Sequence, residues 1–353
     1  MVGKVIIMPM KLFINNQKKQ YLMQIVLLHF FILFITFFAT GCNDLSNSDS
    51  ESNTEAENLI NATVSNGAPL PEGTLQDKLF AISKRTDNNV IYDIAINSDA
   101  SYPPLIVMTQ GKNIKVKIHS ASSAIRTLTL NSPGSLFNVD GKATLILENI
   151  VLKGHPHNNL ALISVKNGGT LIIMDGTVIR DNQNENRNEE GGGVYVGDSS
   201  KFFMKGGEIC YNYCGNRIKY NWGNGGGVYV YSGGYFNMLG GIIHHNETER
   251  CGGGVYTNAH HSVYQSTFIM NGGEIASNMA LYGGGIYLSG RFIKEPLPNE
   301  TRSGIIWGYP GNGKENYANG AAIYGGSVVY NNGTIGEYDS INTDLHFGRI
   351  YSE

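Results

Sequence analysis

The fold is decided by GGGVYV at residues 191–196 and by its returns: GGGVYV at 225–230, GGGVYT at 252–257, GGGIYL at 283–288 and NGAAIYG at 319–325. Successive starts lie 34, 27, 31 and 37 residues apart, counting the last from Gly320. A second motif follows the first three: FFMKGGEICYN from Phe202, FNMLGGIIHHN from Phe236 and FIMNGGEIASN from Phe268. LIIMDGTV at 171–178 fits the same frame, TLILEN at 144–149 fits it loosely, and residues 328–335 are a degenerate copy. Each unit therefore holds three short alternating runs, Val-Tyr-Val, Phe-x-Met and x-Ile, separated by glycine pairs. These runs are too short for an ordinary sheet or a propeller blade, but units that cannot bury a face alone can stack on their neighbours. The pattern predicts an all-β chain, a right-handed single-stranded parallel β-helix of three short strands per coil, each strand lying about 4.8 Å from its copies. Glycine is expected at the corners because it takes positive φ without a Cβ penalty. Its abundance, 45 residues against 10 prolines, follows no three-residue period, which excludes collagen. The uneven spacing is assigned to one corner, with loops leaving the helix between residues 212 and 225, 246 and 252, 278 and 283, and 288 and 320.

Alternation also assigns the faces. In Val-Tyr-Val the aliphatics point inward, which turns Tyr195, Tyr229, Tyr256, Tyr287 and Tyr324 outward as one column. Such a column is either an exposed ladder that stacks sugar rings or meets another protein, or a set of cross-coil contacts. Phe202, Phe236 and Phe268, with Met204, Met238 and Met270, are expected as interior stacks. Asn212, Asn246 and Asn278, with Asp181 placed in the same frame, recur at the turn after the third strand. Amides at a tight bend bond to their own backbone and to their copies above and below, so this column is read as structural.

The remainder of the chain divides around these repeats. Residues 1–41 have the layout of a secretory signal: lysines at 4, 11, 18 and 19 precede an uncharged run at 21–40, and small residues lead into Cys42. That run is also long enough to span a bilayer as an uncleaved anchor. Residues 42–72 are rich in Ser, Asn and Glu and, beyond Cys42, carry no Lys or Arg, the composition of a flexible linker. Residues 73–135 are expected to form an N-terminal cap and first coils, with Thr74 as N-cap of a helix burying Leu75, Leu79 and Ile82. The repeats fill 136–340, and 341–353 form the C-terminal end. A formal charge of −3 argues against a nucleic-acid partner.

The tail Ala39-Thr40-Gly41-Cys42 resembles a bacterial lipobox, which implies lipid attachment at Cys42 and membrane association through that anchor. GGGVYV followed by F-x-M-x-GG-x-I-x-x-N resembles the repeats of spirochaete-type bacterial surface lipoproteins with a pectin-lyase-like β-helix, and is similar to those of chlamydial polymorphic outer-membrane proteins. The resemblance covers about residues 136–340 and implies a location in the cell envelope, at the outer membrane or cell surface, with adhesion or host contact as the role.

A fold of this type also carries enzymes, so chemistry must be sought residue by residue. Arg217-Ile218-Lys219 and Asn342-Thr343-Asp344 match fragments of polygalacturonase motifs but in reversed order, without the Asp-Asp pair or the Gly-His-Gly. Glycoside hydrolysis needs two carboxylates on one cleft; Glu208 and Glu274 recur in frame, but Ile242 takes that place between them. No catalytic residue is assigned, and no cofactor. Cys210, Cys214 and Cys251, with His244 in the frame of Cys210, allow a zinc site of three thiols and an imidazole, but the spacing matches no zinc signature and a disulfide closing the Cys214 loop is preferred. No metal is assigned. The loops at 212–224 and 289–319 carry Arg217, Trp222, Trp307 and Tyr309, aromatic and basic side chains suited to a glycan or a host protein. The sequence reads as a non-catalytic binding or adhesion scaffold; a polysaccharide-active lyase or glycosidase and a passive coat are the alternatives.

Overall fold

The computed structural model describes residues 65–186, 190–215, 223–258, 265–294 and 304–307, with 58–59, 188 and 316–317, and the backbone of 323–324, 327–330 and 350–352. All elements named here belong to the unit Ile60–Glu353. It is a right-handed parallel β-helix. Among the described residues, three parallel sheets stack the copies of each motif. Sheet 1 holds the Val-Tyr-Val runs, eight strands from Leu105–Met108 to Ile323–Tyr324; sheet 2 the Phe-x-Met runs, eleven strands from Ser65–Asn66 to Ile350–Ser352; sheet 3 the x-Ile runs, eight strands from Ala100–Tyr102 to Ile305–Ile306.

Register keeps like residues together, and that builds the core. Val194, Val228, Val255 and Ile286 align in sheet 1. Phe202, Phe236, Phe268 and Phe292 align in sheet 2, and Ile209, Ile243, Ile275 and Ile306 in sheet 3. All of these are buried in one apolar cluster with Met204, Met238 and Met270. The phenylalanine rings stack at 4.6, 4.7 and 5.1 Å between centroids, inside the range in which aromatic pairs attract beyond their area. Sheet 2 also buries a column on its other face: Ile146, Ile172, Phe203, Ile269 and Ile293 are at most 5% exposed, and fully buried Asn237 stands between Phe203 and Ile269.

The triple glycine that opens sheet 1 has two separate causes. Gly225 takes φ +71°, a left-handed turn. Gly226 and Gly227 are instead pressed against the neighbouring coil, where an added Cβ would sit 2.5 Å from the Glu247 carbonyl oxygen and 2.6 Å from that of Gly254. Not every corner uses glycine. The turn leaving sheet 3 is left-handed in each of four coils, yet it is occupied by Asp181, Tyr211, His245 and Ser277 at φ between +51° and +58°.

The helix α1 (Leu75–Ser83) buries Leu75, Leu79 and Ile82 and lies against Leu105–Met108. The Thr74 hydroxyl accepts from the Asp77 N–H at 3.2 Å, and the Asp77 carboxylate accepts from the Thr74 N–H at 2.9 Å, closing a capping box. Beyond Ser65–Asn66, which edges sheet 2, the strands Val90–Ile96, Ala100–Tyr102 and Leu105–Met108 add one to each sheet, so the first full coil starts at Val90.

Three expectations need correction. Arg180 pairs with Cys210, so Asn182 and not Asp181 stands in the frame of Asn212; the turn from Ile173 to Val178 holds one residue more than the turn from Met204 to Glu208, which shifts the frame by one. The stretch 289–319 is not one projecting loop, because Arg291–Lys294 extends sheet 2 and Ile305–Ile306 extends sheet 3. The preferred disulfide is absent: Cys210, Cys214 and Cys251 are buried free thiols. The segment leaving the ladder asparagine also begins as structure, since Gln183–Asn184, Tyr213–Cys214 and Glu247–Thr248 form a small fourth sheet.

Candidate functional site

The asparagines form the inner wall of the sheet 3 corner. Asn246 Oδ1 accepts from the backbone N–H and from Nδ2 of Asn212, both at 3.1 Å; Asn278 Oδ1 accepts the same pair from Asn246 at 3.0 Å; Asn316 Oδ1 accepts it from Asn278 at 2.9 Å. Asn182 donates its N–H to Asn212 Oδ1 at 3.2 Å, and Asn158 Nδ2 donates to Asn182 Oδ1 at 2.7 Å. Each central amide also donates Nδ2 to an isoleucine carbonyl of the preceding coil, Ile179, Ile209 or Ile243. Buried amides so saturated are scaffold, and the ladder fixes the corner that carries the residues outside it.

The tyrosine column of sheet 1 is packing rather than an open ladder. Tyr195, Tyr229, Tyr256 and Tyr287 stack face on face at 5.5, 5.0 and 5.3 Å with planes within 12°. Tyr229 is only 4% exposed and its hydroxyl accepts from Asn258 Nδ2 at 2.8 Å; the others are half-buried. Ring faces already used by neighbours are closed to a sugar ring. Burial, reinforced by Glu190, pushes the Tyr229 phenol far above its usual range, and burial does the same at Tyr256. Tyr324 continues the register beside Tyr287, but its side chain lies outside the described residues, as do Cys42, Arg217, Trp222 and Tyr309.

Varied chemistry is concentrated instead on the outer face of sheet 3 and its left-handed corner. One outward column runs Val178, Glu208, Ile242, Glu274, Ile305; the other runs Arg180, Cys210, His244, Ala276, with Trp307 next at the strand end. Glu208, Cys210 and His244 bring a carboxylate oxygen, a sulfur and an imidazole nitrogen within 4.8 Å of one another. His244 Nε2 is 3.5 Å from Glu208 Oε2, and its Nδ1 is 2.7 Å from Nδ1 of His245, so one ring donates to the other. Tyr211, 52% exposed, stacks on His245 at 5.1 Å and meets His244 edge-on. Arg180 is held by Asp181, Nε to Oδ2 at 2.8 Å. Burial, then Glu208, pushes the Cys210 thiol up to about 12, while burial, then His244, holds His245 below the ordinary imidazole range. Trp307 is half-buried.

The sequence shows Cys210 and His244 as register partners but groups them with Cys214 and Cys251. Cys214 belongs to the fourth sheet and Cys251 bridges Asn224. The partner that was missed is Glu208, and the signal for it was available: residues two apart in a strand share a face. A different surface lies at the cap, where Phe80, Ile106 and Met108 expose apolar side chains around a shallow groove. Glu208 and Glu274 stand two coils apart on an open sheet with Ile242 between them. No protein-family model, curated protein or solved structure matches this chain.

Proposed function

We propose that this chain is an exported envelope lipoprotein, anchored through Cys42 at the outer membrane or cell surface, whose β-helix serves as a non-catalytic binding or adhesion scaffold. The observation that carries the reading is the division of labour between columns: inward positions repeat from coil to coil, while the outer face of sheet 3 and its corner present Arg180, Tyr211, His244, His245 and Trp307 in turn. Recognition on a rigid support is commonly placed in this way, on edges and loops that vary over an invariant core. The lipobox-like Ala39-Thr40-Gly41-Cys42 and the acidic linker after it support the anchor, and the surface-lipoprotein resemblance of the repeats supports the role. The wide separation of Glu208 and Glu274, roughly 9.6 Å at two strand spacings, weighs against a retaining glycosidase, which needs about 5–5.5 Å.

Two experiments test the proposal. Palmitate labelling of cells expressing the chain should mark it, and Cys42→Ala should abolish the label; labelling that survives the substitution refutes the anchor. The purified chain should bind saturably to a member of a glycan and extracellular-matrix panel without releasing product. Tyr211→Ala, Trp307→Ala or Trp222→Ala should weaken that binding at least about tenfold, in the manner of aromatic hot spots. Product release, or binding indifferent to all three substitutions, refutes the scaffold reading.

A further inference from the structure

The geometry points to a transition-metal site of the zinc class on the outer face of sheet 3, with Glu208, Cys210 and His244 as its three protein ligands. The strand geometry creates it. Glu208 and Cys210 are two residues apart in Glu208–Cys210 and so face the same way, and the register places His244 of the next coil directly beside Cys210. Their donor atoms lie within 4.8 Å of one another. Tetrahedral zinc, with bonds of about 2.3 Å to sulfur and about 2.0–2.1 Å to nitrogen and oxygen, sets ligand atoms about 3.3–3.6 Å apart. His244 Nε2 and Glu208 Oε2 are already at 3.5 Å. The remaining closure is about an ångström, within reach of side-chain rotation, since the three side chains share one outward face, with Cys210 buried, His244 half-buried and Glu208 exposed.

The surroundings fit a metal ligand set as well as the distances do. A histidine that binds through one nitrogen is normally oriented by a hydrogen bond from the other. His244 turns Nε2 to Glu208 and Nδ1 to His245 at 2.7 Å, so with a cation at Nε2 its Nδ1–H donates to His245. Arg180, the cation that stands beside Cys210 on the preceding coil, is drawn aside by Asp181 at 2.8 Å. The mix of thiolate, imidazole and carboxylate selects zinc, cobalt or copper over magnesium or calcium, which prefer oxygen. Three protein ligands leave a fourth position for water or an incoming donor group, as in open zinc sites.

Cobalt is the probe for the test. The full chain, stripped with chelator and kept reduced, is titrated with Co²⁺ and followed by absorbance. The expected result is one Co²⁺ per chain, a sulfur-to-cobalt charge-transfer band with the intense visible bands of a tetrahedral ion, and displacement by Zn²⁺. Cys210→Ser should remove the charge-transfer band. Glu208→Gln and His244→Ala should each weaken binding by more than tenfold, and His245→Ala by about 10–100-fold as an orienting partner. Circular dichroism of each variant reports the fold, and the Cys214→Ser/Cys251→Ser double variant should keep the band. A band that survives Cys210→Ser, one that disappears with Cys214 and Cys251, or no saturable uptake of Co²⁺ by the folded chain would overturn the assignment. None of these readouts depends on a glycan or protein ligand being found.

Discussion

Replacing Asn246 by alanine tests whether the asparagine ladder holds the coils together. Its Oδ1 accepts the Asn212 N–H and Nδ2, and its Nδ2 donates to Ile209 O at 2.9 Å, Asn278 Oδ1 at 3.0 Å and His244 O at 3.1 Å. Alanine leaves the buried Asn212 N–H without its acceptor, a cost of about 1–3 kcal/mol, and removes further bonds worth about 0.5–1.5 kcal/mol each before sharing is counted. Several of them are three-centred, so the whole loss is about 3–5 kcal/mol, a large part of the roughly 5–15 kcal/mol that keeps a domain folded. Urea unfolding of the full chain, followed by circular dichroism, measures it. Because each coil is stabilised by its neighbours, the break should also loosen cooperativity and lower the m-value. The partner substitution Asn212→Ala removes one of the same bonds, the one from Nδ2, while the backbone N–H stays, so the double variant should cost about 0.5–1.5 kcal/mol less than the two single costs combined. A loss below about 1 kcal/mol, or additivity within about 0.5 kcal/mol, would refute the ladder as a coupled unit.

The phenylalanine stack should be as costly to interrupt: Phe236→Ala opens a cavity between Phe202 and Phe268 and is expected to lose about 3–5 kcal/mol in the same unfolding assay. The tyrosine column predicts alkaline instability. The Tyr229 and Tyr256 phenols are raised in the folded state by burial first, and unfolded tyrosine titrates near 10, so the stability they contribute is complete below about pH 10 and lost as pH rises beyond it. The urea midpoint should therefore fall between pH 9 and pH 11, and the Tyr229→Phe/Tyr256→Phe variant should fall less; a flat wild-type profile contradicts this. Burial also raises all three thiols, Cys251 to about 11, Cys210 to about 12 and Cys214 beyond both. In metal-free native protein at pH 8 a disulfide reagent should find them nearly inert, and the three should react within the mixing time in denaturant.

The architecture was legible because each inner column is constrained by copies of itself. A phenylalanine at 202 is followed by phenylalanines at 236, 268 and 292 since each ring rests on the last, and one sequence carries the same instruction four times. Where a copy degenerates, the reading slipped. RFIK at 291–294 has Lys294 in place of the expected methionine, so a strand reads as a loop, and one extra residue in the turn between Ile173 and Val178 moves the expected ladder residue by one to Asp181. The burial of Phe203, Ile172 and Ile269 on the far side of sheet 2 was invisible to alternation, which assigns the middle residue of Phe-x-Met to solvent. The tyrosines were placed on the correct face, yet their mutual stacking, which closes the ring faces, depends on side-chain geometry that spacing does not encode.

The candidate site was half legible for the same reason turned around. Repetition shows what supports the coil, so an outward position that fails to repeat is either unconstrained or selected for something other than support. Arg180, Cys210, His244 and Ala276 occupy one outward column with four different chemistries, and the corner after it passes through Asp181, Tyr211, His245 and Ser277 in a conformation that all but glycine, asparagine and aspartate adopt at some cost. The fold tolerates that cost because the asparagine immediately behind each corner residue is locked into the ladder. Drift alone would favour glycine or asparagine at such corners. A tyrosine stacked on a histidine, both held left-handed beside a cysteine, a second histidine and a glutamate, is therefore where the proposed binding and metal chemistry is placed.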